Sequence, residues 1–248
     1  MRGGLTRVPV IINAYNSTQI SLIVERIGQN LQPGDEVAVV NGNGGHTFDR
    51  NQLHGWVRQL RSSLPEAVTL SHHTSGLSNV VASAGDFPPA CNSILYDFEP
   101  NFESEFSWVF ADALDCFRKF SSTCHQIHRQ AVGYPSGRAI LERDLAAYRW
   151  DYGQLRGCVD KLVVQTQHWA RVGQSEWNYA LTQLQSQFAR RGMGPEQIFP
   201  QISIGNGPNA VDMTLANALI EDARRRGVGG LYLWWSPDII GDLVRVLA

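Results

Sequence analysis

The chain has 248 residues, with 21 Lys and Arg set against 23 Asp and Glu, a formal net charge of −2. That balance removes any electrostatic case for nucleic acid or a strongly anionic membrane as partner, and no apolar run is long enough to span a bilayer. The length suits one large domain or two small ones, and single α/β barrels commonly have roughly 250 residues.

In chain order, Val8 to Asn13 reads as a first strand. Ser17 can cap a helix with apolar positions at Ile20, Val24 and Ile27. Pro33-Gly34 makes a turn, Glu36 to Val40 a second strand, and Asn41 to His46 a glycine-rich loop. Leu53, Trp56, Val57 and Leu60 lie on one side of a helix from Asp49 to Leu60. Val68 to Ser71 is a third strand, ending in His72-His73. A short helix from Leu77 to Ala84 and the Pro88-Pro89 break follow.

The fourth strand is Ser93-Ile94-Leu95-Tyr96-Asp97-Phe98-Glu99, stopped by Pro100, which has no N–H for the ladder. Side chains alternate along a strand, so Asp97 and Glu99 share one face and Tyr96 and Phe98 the other. A helix from Ser104 to Phe120, a fifth strand from Ala131 to Tyr134 and an irregularly helical segment from Leu141 to Val159 come next. The sixth strand runs from Leu162 to Gln167, followed by a helix from Ser175 to Arg191. The seventh covers Ile198 to Ile204, ending in Gly205-Asn206-Gly207-Pro208. A helix from Val211 to Arg226, an eighth strand from Gly230 to Trp235 and a helix from Ile239 to Leu247 close the chain.

Strand and helix thus alternate eight times with no linker between them. This pattern predicts a single (β/α)8 TIM barrel domain of the α/β class over residues 1–248. In such barrels chemistry gathers at the carboxyl ends of the strands. The polar and aromatic residues expected there are Asn13, Tyr15, Asn41, His72, His73, Asp97, Glu99, Tyr134, Gln165, Gln167, Asn206, Tyr232 and Trp234. Adjacent residues face opposite ways, so at most one of His72 and His73 points inward. A rim of amides, aromatics and two acids suits a neutral hydroxylated ligand such as a sugar.

Cys91, Cys116, Cys124 and Cys158 fit no zinc spacing and read as reduced thiols. No metal or cofactor is expected. Met1 to Arg7 lacks a signal-peptide core, which points to the cytoplasm or to secretion with the leader removed. The oligomeric state is not readable.

Tyr96-Asp97-Phe98-Glu99 resembles the end of the DxxDxDxE motif of family-18 glycoside hydrolases, the chitinases and endo-N-acetylglucosaminidases. Val164-Gln165-Thr166-Gln167 resembles their sixth-strand segment, and Gly229-Gly230-Leu231-Tyr232-Leu233-Trp234 is similar to their last strand. The resemblance implies a glycosidase acting on an N-acetylglucosamine-containing glycan. Glu99 would be its general acid, and Asp97 would orient the substrate's acetamido nucleophile. A Glu in that role needs a raised pKa, which a negative Asp97 and a partly dry rim supply. Trp234 would floor the sugar, and Gln167 falls where many relatives have a tyrosine that bonds the acetamido oxygen. Leu95 departs from the motif: the family has an Asp two residues before the position of Asp97. That departure motivates a second reading, a barrel that binds saccharide or protein without catalysis. A third is a different acid/base enzyme whose Gly205 to Gly207 turn holds a small metabolite, phosphorylated or not.

Overall fold

The computed structural model describes residues 7–42, 48–100, 107–140 and 149–248. Its first seven strands are β1 (Val10–Ala14), β2 (Glu36–Val40), β3 (Thr69–Ser75), β4 (Ser93–Phe98), β5 (Gln130–Pro135), β6 (Lys161–Val164) and β7 (Ile198–Ile204). A two-residue strand, β8 (Ala210–Val211), and then β9 (Leu231–Trp235) follow. Each of β1 to β7 pairs in parallel with its successor. β9 joins β7 to β1 and closes the ring, leaving β8 as a parallel addition outside it. The eight-stranded parallel barrel expected from the alternation is the fold observed.

The helices around it are α1 (Ser17–Leu22), α2 (Arg50–Ser63), α3 (Leu77–Ala84), α4 (Phe110–Gln126), α5 (Tyr152–Arg156), α6 (Gln167–Val172), α7 (Gln174–Ala189), α8 (Met213–Arg225) and α9 (Ile240–Leu247). Four start on a side chain that accepts the N–H three residues on: Asn16, Asp49, Asp151 and Asp212 cap α1, α2, α5 and α8. The first cap is therefore Asn16 and not Ser17, because the extended backbone that a cap requires falls at Asn16.

Strand alternation splits the apolar residues into two cores. Ile12, Val37, Val39, Leu70, Ile94, Tyr96, Phe98, Leu162, Val164, Ile202 and Leu233 point outward under the helices. Ile11, Ala38, Leu95, Val132, Tyr134, Val163 and Tyr232 point into the lumen, with Phe199 and Trp234 packed against them. The lumen's amino end holds an ion pair: Lys161 Nζ donates to Glu36 Oε2 at 2.9 Å and lies 5.1 Å from the Phe199 ring centre. Gly133 on β5 is bare for a reason, since an added Cβ would come within 2.7 Å of Phe117 and 2.9 Å of Leu162.

Several boundaries differ from expectation. β3 runs on to Ser75, so His72 and His73 lie inside the strand and not at its end. β6 stops at Val164. Gln165 makes only a bridge to Ser136, and Gln167 opens α6, a helix the sequence reading merged into the strand and its loop. The helix after β4 begins at Phe110 among the described residues and extends to Gln126. The glycine-rich loop beyond Gly42, the expected helix start at Ser104 and residues 141–148 of the irregular segment lie outside the described residues. The four cysteines are all thiols. Among the described residues no helix is long and apolar enough to cross a membrane.

Candidate active site

β4 places Asp97 on its lumen face as the penultimate strand residue, and Glu99 follows one position past the strand's end. Tyr96 and Phe98 take the opposite face, packed against Phe117 of α4. The two carboxylates therefore rise side by side at the barrel mouth. Both line a cavity of ≈ 310 Å³ together with Tyr15, Tyr134, Gln165, Gln167, Gln201, Ser203, Asn206, Asn209 and Trp234. Glu99, Gln165, Gln167 and Asn209 also line an adjoining cavity of ≈ 270 Å³, completed by Trp108, Ser136, Arg138 and His168. Glu99 thus stands between two compartments.

Asp97 is nearly buried. Its Oδ1 accepts a 2.6 Å hydrogen bond from Gln165 Nε2, and its Oδ2 lies 3.6 Å from His73 Nε2. Gln167 Nε2 in turn reaches Gln165 Oε1 at 3.4 Å, so the two amides and the acid form one chain. Gln165 is held there by the backbone: its N–H donates to Pro135, and Gly137, which packs on the Gln165 carbonyl, leaves no room for a Cβ. Glu99 is pushed up from 4.5 to about 7. Burial is the main cause and the negative charge of Asp97 the second, against opposing influences from Gln165, Arg138 and His73. It is therefore part protonated near neutrality.

The wall across from the acids is aromatic. Trp234, on the lumen face of β9, stacks on Tyr15 with ring centres 5.6 Å apart and 10° between planes. Beneath it, Tyr232 is fully buried and its hydroxyl meets His73 Nδ1 at 2.7 Å. Tyr134 donates to Gln201 Oε1. Asn206 is fixed at the rim by two bonds: its N–H to Ser236 Oγ, and its Nδ2 to Asp238 Oδ2. The turn that carries it needs Gly205, whose φ of +95° lies in the left-handed region.

The structure brings Asp97, Glu99, Tyr15, Tyr134, Gln165, Gln167, Asn206 and Trp234 around one cavity. The other expected members stand apart from it. Tyr232 and Asn13 are fully buried and do not line the cavity; Asn13 Oδ1 accepts the Trp235 N–H and so ties β1 to β9. His72 is a correction. The pleat turns it out of the lumen, between Phe48 and Phe87 at 5.4 and 6.4 Å, with Nε2 against the Asn41 carbonyl. Burial holds its pKa down at about 4. His73 is the histidine that faces the lumen. Gln201 and Ser203 also line the cavity and are not among the expected members. Their signal is the polar–apolar alternation Gln201-Ile202-Ser203-Ile204 within a buried strand. Among the described residues no group of three or more His, Cys, Asp or Glu side chains could hold a metal ion.

No family model matches the chain, and no curated protein matches it by sequence. Its fold does match solved structures. The PgaB (BpsB) glycoside hydrolase domain of Bordetella bronchiseptica superposes with a TM-score of 0.67 at 9% identity, over 98% of this chain and 99% of that one. The spore cortex-lytic enzyme SleL of Bacillus cereus gives 0.63 at 11% identity, over 100% and 75%. A chitinase from Chromobacterium violaceum gives 0.61 at 12%, over 97% and 99%. A citrate lyase from Burkholderia xenovorans also matches, at 0.54 and 12%, over 99% and 79%. The chain therefore has the barrel fold that glycoside hydrolases, chitinases among them, share with enzymes of other chemistry. At such identities the likeness is one of fold.

Proposed function

We propose that the protein is a glycoside hydrolase that cleaves an N-acetylglucosamine-containing glycan with the substrate's own acetamido group as nucleophile. The observation that carries this reading is the position of Glu99, beside Asp97 and between two compartments, with a pKa near 7. A glycosidic bond laid across the two cavities puts its oxygen at that carboxyl.

The arrangement of acids favours the substrate-assisted route. Ordinary retaining and inverting schemes need carboxyls on opposite sides of the bond, roughly 5–9.5 Å apart. Asp97 and Glu99 come from one face of one strand, and among the described residues no other carboxylate lines the cavity. They approach the substrate from the same side. Glu99 protonates the leaving oxygen as the C1–O bond breaks, while the acetamido oxygen closes on C1. Asp97 accepts the acetamido N–H and offsets the charge that develops on the ring so formed. A water molecule, giving its proton to the Glu99 carboxylate, then attacks C1 and opens the ring. The stacked Trp234 and Tyr15 present an aromatic face for the sugar.

Leu95, buried in the lumen two residues before Asp97, favours a second reading, a barrel that binds saccharide without turnover. Assaying wild-type protein and Glu99→Gln on chitooligosaccharides, with calorimetry as the binding signal, separates the two. Turnover that Glu99→Gln abolishes while binding persists supports catalysis. Binding without product from wild type supports the second reading.

A further inference from the structure

Asp97 Oδ1 takes the Gln165 amide, and its other oxygen, Oδ2, faces a side chain of the neighbouring strand. The lumen residue below it on β4 is Leu95, whose register partner on β3 is His73. His73 fills that place from the side. Its ring is fully buried and boxed by Tyr134, Tyr232 and Trp234, with ring centres at 5.0, 5.9 and 6.0 Å. One nitrogen, Nδ1, meets the Tyr232 hydroxyl at 2.7 Å. The other, Nε2, has no hydrogen-bond partner among the described residues and lies 3.6 Å from Asp97 Oδ2.

We propose that His73 is a positioning residue for Asp97. Tyr232 holds its imidazole as the Nε2–H tautomer, and that N–H keeps the Asp97 carboxylate anionic and turned toward the cavity. The inference rests on the reading of Asp97 as the group that orients the acetamido nucleophile.

The tautomer follows from which contacts each form satisfies. With the proton on Nδ1, that N–H would donate to the Tyr232 oxygen, and the bare Nε2 lone pair would face a carboxylate oxygen, two acceptors against each other. With the proton on Nε2, the Tyr232 O–H donates to Nδ1 and the Nε2–H points at Asp97, so both contacts are favourable. The doubly protonated ring is disfavoured by burial, which pulls His73 down to about 3, although Glu99 works in the opposite direction. The groups facing the ring are Asp97 and Glu99 from the β4 end, Tyr134 from β5, and Tyr232 and Trp234 from β9. Both tyrosines are held neutral, their pKa values raised by burial. At 3.6 Å the Nε2–Oδ2 contact is longer than a hydrogen bond. A shift of about half an ångström closes it, and such bonds commonly tighten when substrate is bound.

Nitrogen NMR of ¹⁵N-histidine-labelled protein tests the tautomer without any substrate. In the wild type at pH 7, His73 is expected as a neutral ring protonated on Nε2, unchanged down to pH 5. In Tyr232→Phe the Nδ1–H form should appear. On an N-acetylglucosaminide, Tyr232→Phe should lower kcat about tenfold. KM should stay within about threefold, and the acid limb of the pH profile should move up by about one pH unit. His73→Gln, which keeps an N–H near the Nε2 position, should retain more activity than His73→Leu at equal thermal stability. A wild-type ring protonated on Nδ1, or charged at pH 7, overturns the proposal. So does a Tyr232→Phe variant that loses stability while its pH profile stays in place. If the wild type hydrolyses no glycoside, the NMR result still decides the tautomer, and the failure belongs to the proposed reaction.

Discussion

Replacing Glu99 with glutamine should stabilise the protein while removing its proposed activity, and the gain should depend on pH in a defined way. The fold raises the Glu99 pKa from 4.5 to about 7, mainly by burial and next by the charge of Asp97. Below pH 4.5 the carboxyl is protonated in both folded and unfolded chains, and it adds no penalty. As pH rises from 4.5 to 7 the unfolded chain ionises first, so the folded state loses stability, and the loss is complete above about 7. The size of the rise caps the penalty at roughly 3 kcal/mol. Glu99 is half-buried, and solvent screening leaves about 1–2 kcal/mol of that. For a chain of this size that corresponds to a melting temperature about 2–8 °C higher in Glu99→Gln at pH 8, and to no difference at pH 4. Paired thermal melts of the two proteins between pH 4 and 8 read it directly. Buried His72 and His73 are common to both and cancel in the difference. A difference independent of pH, or a variant less stable at pH 8, would refute the picture of Glu99 as a carboxyl held at its ionisation limit.

Three further outcomes follow from the same geometry. Trp234→Ala removes one face of the Tyr15–Trp234 stack and should weaken saccharide binding by about tenfold or more, measured calorimetrically, since a ring contact of this kind is worth roughly 1 kcal/mol beyond its buried area. Lys161→Met strands Glu36, whose side chain is 2% exposed; it should cost about 3–5 kcal/mol in urea unfolding, and Lys161→Met with Glu36→Leu should recover most of it. Glu99→Gln, in which the opposing ionisation of Glu99 is removed, should lose stability as pH falls from 6.5 toward 4, because His72 and His73 are held neutral, at about 4 and about 3, while the unfolded chain takes up their protons. A melting temperature flat across that interval would contradict the burial assigned to the two rings.

The architecture was legible because it is written in period and order. Alternating apolar segments such as Val37 and Val39 on β2, helical stripes such as Leu53, Trp56, Val57 and Leu60, and eight repeats of the pair leave one economical closure. Of the site, the β4 end was legible because Pro100 stops the strand and parity alone puts Asp97 and Glu99 on one face. What failed was parity where the strand end was misplaced. β3 was expected to end in His72-His73, so nothing fixed which of the two turned inward, and His72 was taken into the site in place of His73. The pairing of β3 with β2 through His73 and with β4 through Ser75, a long-range fact, settles it. Gln167 was expected on a strand and sits instead at the start of α6, yet still reaches the cavity because Gln165, two residues earlier, closes the rim through its bridge to Ser136. Depth was the other invisible quantity. Asn13 and Tyr232 have the right parity for the lumen but are fully buried and line no part of the cavity, Asn13 being turned to the Trp235 N–H and Tyr232 to His73.

The most direct test of the central claim is the stereochemistry of hydrolysis, followed by proton NMR of the anomers as wild-type protein cleaves an N-acetylglucosamine oligomer. The account predicts that the β-anomer forms first, since the acetamido group and water displace in turn at C1, and that Glu99→Gln slows its appearance at least about a hundredfold. Initial release of the α-anomer, or undiminished cleavage by Glu99→Gln, would contradict it.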